Sequence, residues 1–423
     1  MIKKIVNSSL FLLLGNIISR ATIFIVNIVA ARILPQEIFG QFMFLRSTIS
    51  MADGVISASF GNITVKKTSE YQTENFKLKQ YLISLFFVNI SLILVLMLGV
   101  FIFSDELIYY FFLNNTTLKE PLFISLFILF TSILASLAEK VNIGLSNYKE
   151  MAVLSLVNIV LGLPLVIFLV HSYKLNGLLW GIGLYFLINL ILKSLIFTLK
   201  NNIFTPMQGS VNLKKYVIGL FKSSSLLVVW ATISALTFWT FRLIIINKSE
   251  NFSAIASFDV AYQWVTMIML ITGATTSVAL QMFAANKGEQ VKIFRINLLI
   301  NLTISIVFSL IFSFFASEIM SIYGDNYEKY YYLIYVVSLL TVFATIDSIY
   351  NKLFIANNNL NIIIIHTIVS ACISISFALF YESNEMSLIL ALTFLLYYFC
   401  FFVLDTLYIL FKHKEYFVNK RNS

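Results

Sequence analysis

Charge is what this chain has least of. Only 12% of its 423 residues are Asp, Glu, Lys or Arg, while 59% are hydrophobic; a soluble fold carries roughly twice that charged share. Cysteine is nearly absent, and Cys372 and Cys400 both fall inside apolar segments, which argues against a disulfide framework or a zinc site. The three histidines, His171, His366 and His413, stand near the ends of apolar segments and read as interfacial residues. No phosphate-binding glycine loop, HExxH, CxxC or GxSxG occurs. Long loops are missing too. The longest lie near 62–80, 104–120 and 200–216, too short to hold the catalytic carboxylates and acceptor site of a membrane glycosyltransferase or polymerase. The chain is therefore expected not to be an enzyme and to hold no resident cofactor. Any transport it performs would run on an H⁺ or Na⁺ gradient, or on the gradient of its substrate.

What remains is apolar helix. The length suits about twelve spans of ~20 residues joined by short connections. They are expected near 8–31, 38–61, 81–103, 121–140, 151–171, 177–199, 217–246, 255–284, 295–317, 331–351, 361–381 and 386–411. The start, Met1-Ile2-Lys3-Lys4, imitates a signal peptide, but the apolar run continues to Ala31 without a small-residue cleavage site, so it reads as an uncleaved first span. The net charge of +9 does not form a basic stripe with stacking aromatics, so no nucleic-acid partner is expected. Lys and Arg instead gather in alternate loops, at Lys66, Lys67, Lys77, Lys79, Lys214, Lys215 and Lys412 among others. That bias puts both termini in the cytoplasm. Tyr327, Tyr330, Tyr331, Tyr332 and Tyr335 read as an interfacial aromatic belt.

Some charges lie inside the spans, where each costs roughly 2.5–3.5 kcal/mol on insertion scales. Ser9, Asn16, Arg20, Asn27 and Ala31 share one stripe of the first span; Arg46, Ser50, Asp53 and Ser57 share one stripe of the second. Counted from the Leu34-Pro35 turn, Arg20 is about fifteen residues down and Asp53 about seventeen, a difference of ~3 Å in depth. An Arg20–Asp53 pair is expected. The polar segment 200–215 divides the chain into lobes 1–205 and 206–423, and the second lobe repeats the device: Arg242 follows Thr232 and Trp239 on one stripe, opposite Asp259, Gln263, Thr266, Gly273 and Ser277 on the next span. Two readings of the arginines stay open. Either Arg20, Arg46 and Arg242 present a cationic surface to an anionic head group, or Arg20 and Arg242 are held by Asp53 and Asp259 as internal glue. Asp53 and Asp259 could also take part in ion coupling. Asp347 and Asp405, near Lys352 and Lys412, read as charge balance.

The stretch Ala31-Arg32-Ile33-Leu34-Pro35-Gln36-Glu37-Ile38-Phe39-Gly40 resembles the first turn of the polysaccharide (O-antigen) flippases of the multidrug/oligosaccharidyl-lipid/polysaccharide exporter superfamily. Ile322-Tyr323-Gly324-Asp325-Asn326-Tyr327 is similar to a Gly-acidic-Tyr turn of the same family. Two departures are visible: Leu34 stands where the family has Gly, and the corresponding second-half turn, Asn247 to Phe252, lacks the Pro. The resemblance implies an all-α integral membrane fold of two six-helix lobes forming a V around a central cavity. It implies a substrate, too: an undecaprenyl-pyrophosphate-linked glycan, moved from the inner to the outer leaflet of the cytoplasmic membrane for O-antigen or capsular polysaccharide assembly. Partners would be membrane lipid and the polymerase and glycosyltransferases of that pathway. The pyrophosphate would meet the arginines, and sugar hydroxyls would meet Asn16, Asn27, Gln263 and Thr266. The alternatives are an ion-coupled efflux pump of the same fold, which would want an acidic or aromatic cavity, and a membrane enzyme of glycan assembly.

Overall fold

The computed structural model describes residues 2–72, 74–200, 213–285, 289–357 and 359–412. Side chains at Ser9, Asn16, Ser57 and Ser277 lie outside the described ones, as does the expected lobe boundary at 205/206. Helices α1 (Ile2–Ile33), α2 (Gln36–Glu70), α3 (Asn75–Ile102), α4 (Ser104–Phe111), α5 (Lys119–Gly144), α6 (Tyr148–Lys200) and α7 (Leu213–Ser249) are followed by α8 (Ser253–Ala285) and α9 (Gln290–Phe314). The short α10 (Ala316–Ser321) and α11 (Asp325–Glu328) precede α12 (Tyr332–Ala356), α13 (Leu360–Phe380) and α14 (Met386–Lys412). Among the described residues there is no strand, and nine helices are long and apolar enough to cross a membrane. The protein is a multi-pass membrane protein. The charged α1 and α2 are long helices outside that set of nine.

The chain forms two compact units, Met1–Ala235 and Leu236–Ser423. In the first, Pro35 is the N-cap of α2, its ring fixing φ at −53, and Arg32 stands in the last turn of α1, where a cation suits the helix dipole. Helix α5 is the centre of this unit, with 78% of its apolar window buried, packed against α2, α3 and α6. Close crossing of α2 and α5 depends on Gly144, because a Cβ there would fall 1.7 Å from Thr68 Oγ1. Helix α6 breaks at Lys174 (φ 50, ψ −125), between the expected spans 151–171 and 177–199. The two arms fold back on each other, and a Cβ at Gly177 would lie 1.9 Å from the Leu169 carbonyl oxygen. Phe39, Phe42 and Phe44 are fully buried, and Phe44 packs edge-on against Phe112 at 5.2 Å.

In the second unit α12 is central and packs on α8, α9, α13 and α14. Gly324 adopts φ 118, a conformation open to glycine alone, and the turn it allows buries Tyr323 and Tyr327 with ring centroids 6.4 Å apart. Tyr327 is thus a core residue rather than part of the aromatic belt. Tyr331 and Tyr335 do stay exposed.

Candidate functional site

Four groups of embedded polar side chains emerge, two in each unit. In the first unit Arg46 on α2 donates from Nη1 to Asn27 Oδ1 on α1 at 3.0 Å. The two polar stripes therefore meet at this point, with Asn27 fully buried. Arg46 and Asp53, about two turns apart on the same stripe of α2, line a cavity of about 120 Å³ together with Ile23, Phe42, Ser132 and Phe186.

Arg20 does not join them. No ion pair among the described residues links it to Asp53; the carboxylate acting on its guanidinium is Glu139 of α5. Depth alone was an incomplete guide, because α1 lies mainly along α6 rather than α2, so Arg20 turns towards the α5–α6 face. Glu139 is also paired with Lys193 of α6 at 2.6 Å, and it lies in the field of Lys140. The Lys140 stem rests 3.5 Å from where a Gly61 Cβ would stand on α2. Asn142 pins the same arm of α6 by donating to the Lys193 carbonyl at 2.8 Å. Arg20, Lys140 and Lys193 around one carboxylate leave this cluster with a net charge of +2. Arg20 is exposed, whereas Lys193 is buried. Sequence reading passed over Glu139, Lys140 and Lys193. The signal was present, since each is a charge inside or at the edge of an apolar span, but two of them sit where a span was thought to end.

In the second unit the expected facing of Arg242 and Asp259 is realised as a two-bond pair. Nη2 donates to Oδ1 at 2.6 Å and Nε to Oδ2 at 3.3 Å, while Nη1 donates to the Phe238 carbonyl at 3.2 Å. The guanidinium lies 5.2 Å from the Phe394 ring centre and 5.7 Å from that of Phe258, and both members of the pair are under one-tenth exposed. The fork of Arg242 is thus engaged by Asp259. Gln263 accepts from the Tyr323 hydroxyl at 3.4 Å, and the exposed Thr266 bonds back to the Gln263 carbonyl at 2.7 Å.

The fourth group was not anticipated. His366 of α13 and Asp405 of α14 share a hydrogen bond of 2.5 Å between Nδ1 and Oδ1. Asp347 of α12, within electrostatic reach of Asp405, accepts from Asn351 at 2.9 Å. Asp405 is completely buried. His366 thus has a specific partner, and Asp405 is balanced by a histidine rather than by Lys412, which lies instead over the Tyr408 ring at 5.2 Å.

Comparison with known proteins places the chain. The profile of the family described as "Polysaccharide biosynthesis protein" matches residues 5–287. No curated sequence matches. Among solved structures, an inward-facing multidrug resistance MATE family transporter of the MOP superfamily is 13% identical with a TM-score of 0.71, covering 95% of each chain. The lipid II flippase MurJ in an inward closed conformation is 14% identical with a TM-score of 0.72, covering 95% of this chain and 88% of its own. A MOP superfamily transporter from Pyrococcus furiosus is 13% identical with a TM-score of 0.64 over 98% and 95%. These superpositions establish a shared fold, that of the MATE-like membrane transporters.

Proposed function

The chain belongs to the polysaccharide biosynthesis protein family, and from that premise we propose that it is a flippase for a polyprenyl-pyrophosphate-linked oligosaccharide. It would carry the glycan from the inner to the outer leaflet of the cytoplasmic membrane, with both termini in the cytoplasm, for O-antigen or capsule assembly. The observation that supports this most is the net +2 cluster of Arg20, Lys140 and Lys193 about Glu139. Excess positive charge embedded in a membrane protein is costly, and a pyrophosphate offers the compensating anion. Guanidinium suits it through paired N–H donors, and Lys140 adds a point charge. Arg46 and Asp53, beside their small cavity, are proposed as a second polar contact for the head group or sugars. The lipid tail stays in the bilayer while alternating access moves the head group.

A multidrug resistance MATE transporter shares the fold, but a chain of this fold that carried small organic cations would gain nothing from a net positive cluster. The test is complementation of a strain lacking the gene. The wild-type chain should restore surface glycan, and Arg20→Ala with Lys140→Ala should fail at normal protein level. Restoration by that double variant would remove the head-group role.

A further inference from the structure

In the second unit a buried carboxylate, Asp405, meets the half-buried imidazole of His366 and lies within electrostatic reach of the half-buried Asp347, and its hydrogen bonding is incomplete. Asp405 Oδ1 is satisfied by His366, but Asp405 Oδ2 has no hydrogen-bond partner and is sealed from solvent; the side-chain Oδ1 of Asn351, whose amide nitrogen donates to Asp347, is likewise buried and unpartnered. Orphaned buried acceptors are costly, at about 1–3 kcal/mol each, and two carboxylates in low dielectric repel. A single added proton cancels one of the two like charges, and on Asp405 Oδ2 it replaces a bare buried carboxylate oxygen with a neutral hydroxyl. An imidazole bonded to a buried carboxylate, with a second carboxylate nearby, is chemistry that binds and releases a proton.

The surroundings carry the charge change further. Facing Asp405 are His366 from α13, and Asp347 and Tyr350 from α12, with the Tyr350 hydroxyl 3.0 Å from Thr406 Oγ1. Tyr398, on α14 itself, feels Asp347 and meets the hydroxyl of Tyr262 on α8. Tyr262 in turn lies in the field of Arg242 and Asp259. Electrostatic influence therefore extends through this unit from the His366–Asp405 pair, by way of Asp347, Tyr398 and Tyr262, towards the Arg242–Asp259 pair.

We propose that Asp347, Asp405 and His366 form a proton-binding site, linked through Tyr398 and Tyr262 to the Arg242–Asp259 pair. The proton comes from water and returns to water, with no other bond made or broken. As the driving ion of glycan movement this site rests on the transport reading; as a proton site it does not. The experiment is infrared difference titration of the purified full-length protein in H₂O and D₂O, with no glycan present, between about pH 5 and 8. The wild type should show a protonated-carboxyl band that appears and disappears with pH. Asp405→Asn and Asp347→Asn should each lose it, His366→Asn should move its midpoint, and Asp105→Asn, at the exposed Lys119 pair, should keep it. The wild-type titration stands even where a variant fails to fold. Absence of any titrating carboxyl band, its survival in both Asn variants, or a band that follows Na⁺ instead of pH would overturn the proposal. Those outcomes would leave the flippase reading untouched.

Discussion

Removing one partner of the Arg242–Asp259 pair should harm the protein far more than removing both. The pair is under one-tenth exposed and joined by two hydrogen bonds, so solvent screening subtracts little. Stripping one partner leaves an unpaired charge buried against Phe258, Phe241 and Phe394, at a cost of about 3–5 kcal/mol. Arg242→Ala and Asp259→Ala should each lower stability by that amount. Arg242→Lys keeps the charge but cannot reproduce the Nε and Nη2 bonds together, nor the bond to the Phe238 carbonyl, and should cost about 1–3 kcal/mol. The double variant Arg242→Met, Asp259→Leu removes both charges, keeps the volume, and should fall within about 1 kcal/mol of wild type or above it. The assay is unfolding of the purified protein in detergent, completed as a double-mutant cycle. Additive single losses, or single losses below about 1 kcal/mol, would refute the reasoning.

Further expectations follow from other contacts. Gly144→Ala should cost about 1–3 kcal/mol, because its methyl collides with Thr68, whereas Gly99→Ala, with nothing within 4 Å, should be neutral or stabilising by about 0.5–1 kcal/mol; thermal unfolding of the two variants checks this. A cycle between Glu139→Gln and Lys193→Met should show coupling above about 1 kcal/mol, while one between Arg20→Ala and Asp53→Ala should be additive within about 0.5 kcal/mol. Reporters fused after Lys67, Lys214 or Lys412 should read cytoplasm, and those after Asn115 or Asn384 the exterior; one clear reversal sinks the proposed topology.

Apolar periodicity made the helices legible, and the break between two antiparallel arms of α6 fell where 151–171 and 177–199 were separated. The Arg242–Asp259 pair was readable because a short hairpin constrains depth and facing together. Arg20 shows where that logic stops. Depth follows from counting residues, but rotation about the axis depends on which helix packs alongside, and α1 chose α6. The group of Asp347, Asp405 and His366 was invisible for a related reason. Asp347 and Asp405 each have a lysine a few residues on, which suggests local charge balance, while the hydrogen bond that Asp405 makes is to His366 on the preceding helix. Tyr327 looked interfacial among its tyrosines, and only the positive φ of Gly324 turns it into the core.

The central claim is that excess positive charge on α1, α5 and α6 carries an anionic lipid-linked glycan. Its most direct test is translocation of a polyprenyl-pyrophosphate oligosaccharide in liposomes containing the purified protein. Wild type should move the glycan between leaflets, and Arg20→Ala with Lys140→Ala should slow it at least about tenfold, the equivalent of ~1.4 kcal/mol, while remaining folded. Export of small organic cations with no glycan movement, or glycan movement indifferent to both substitutions, would contradict the account.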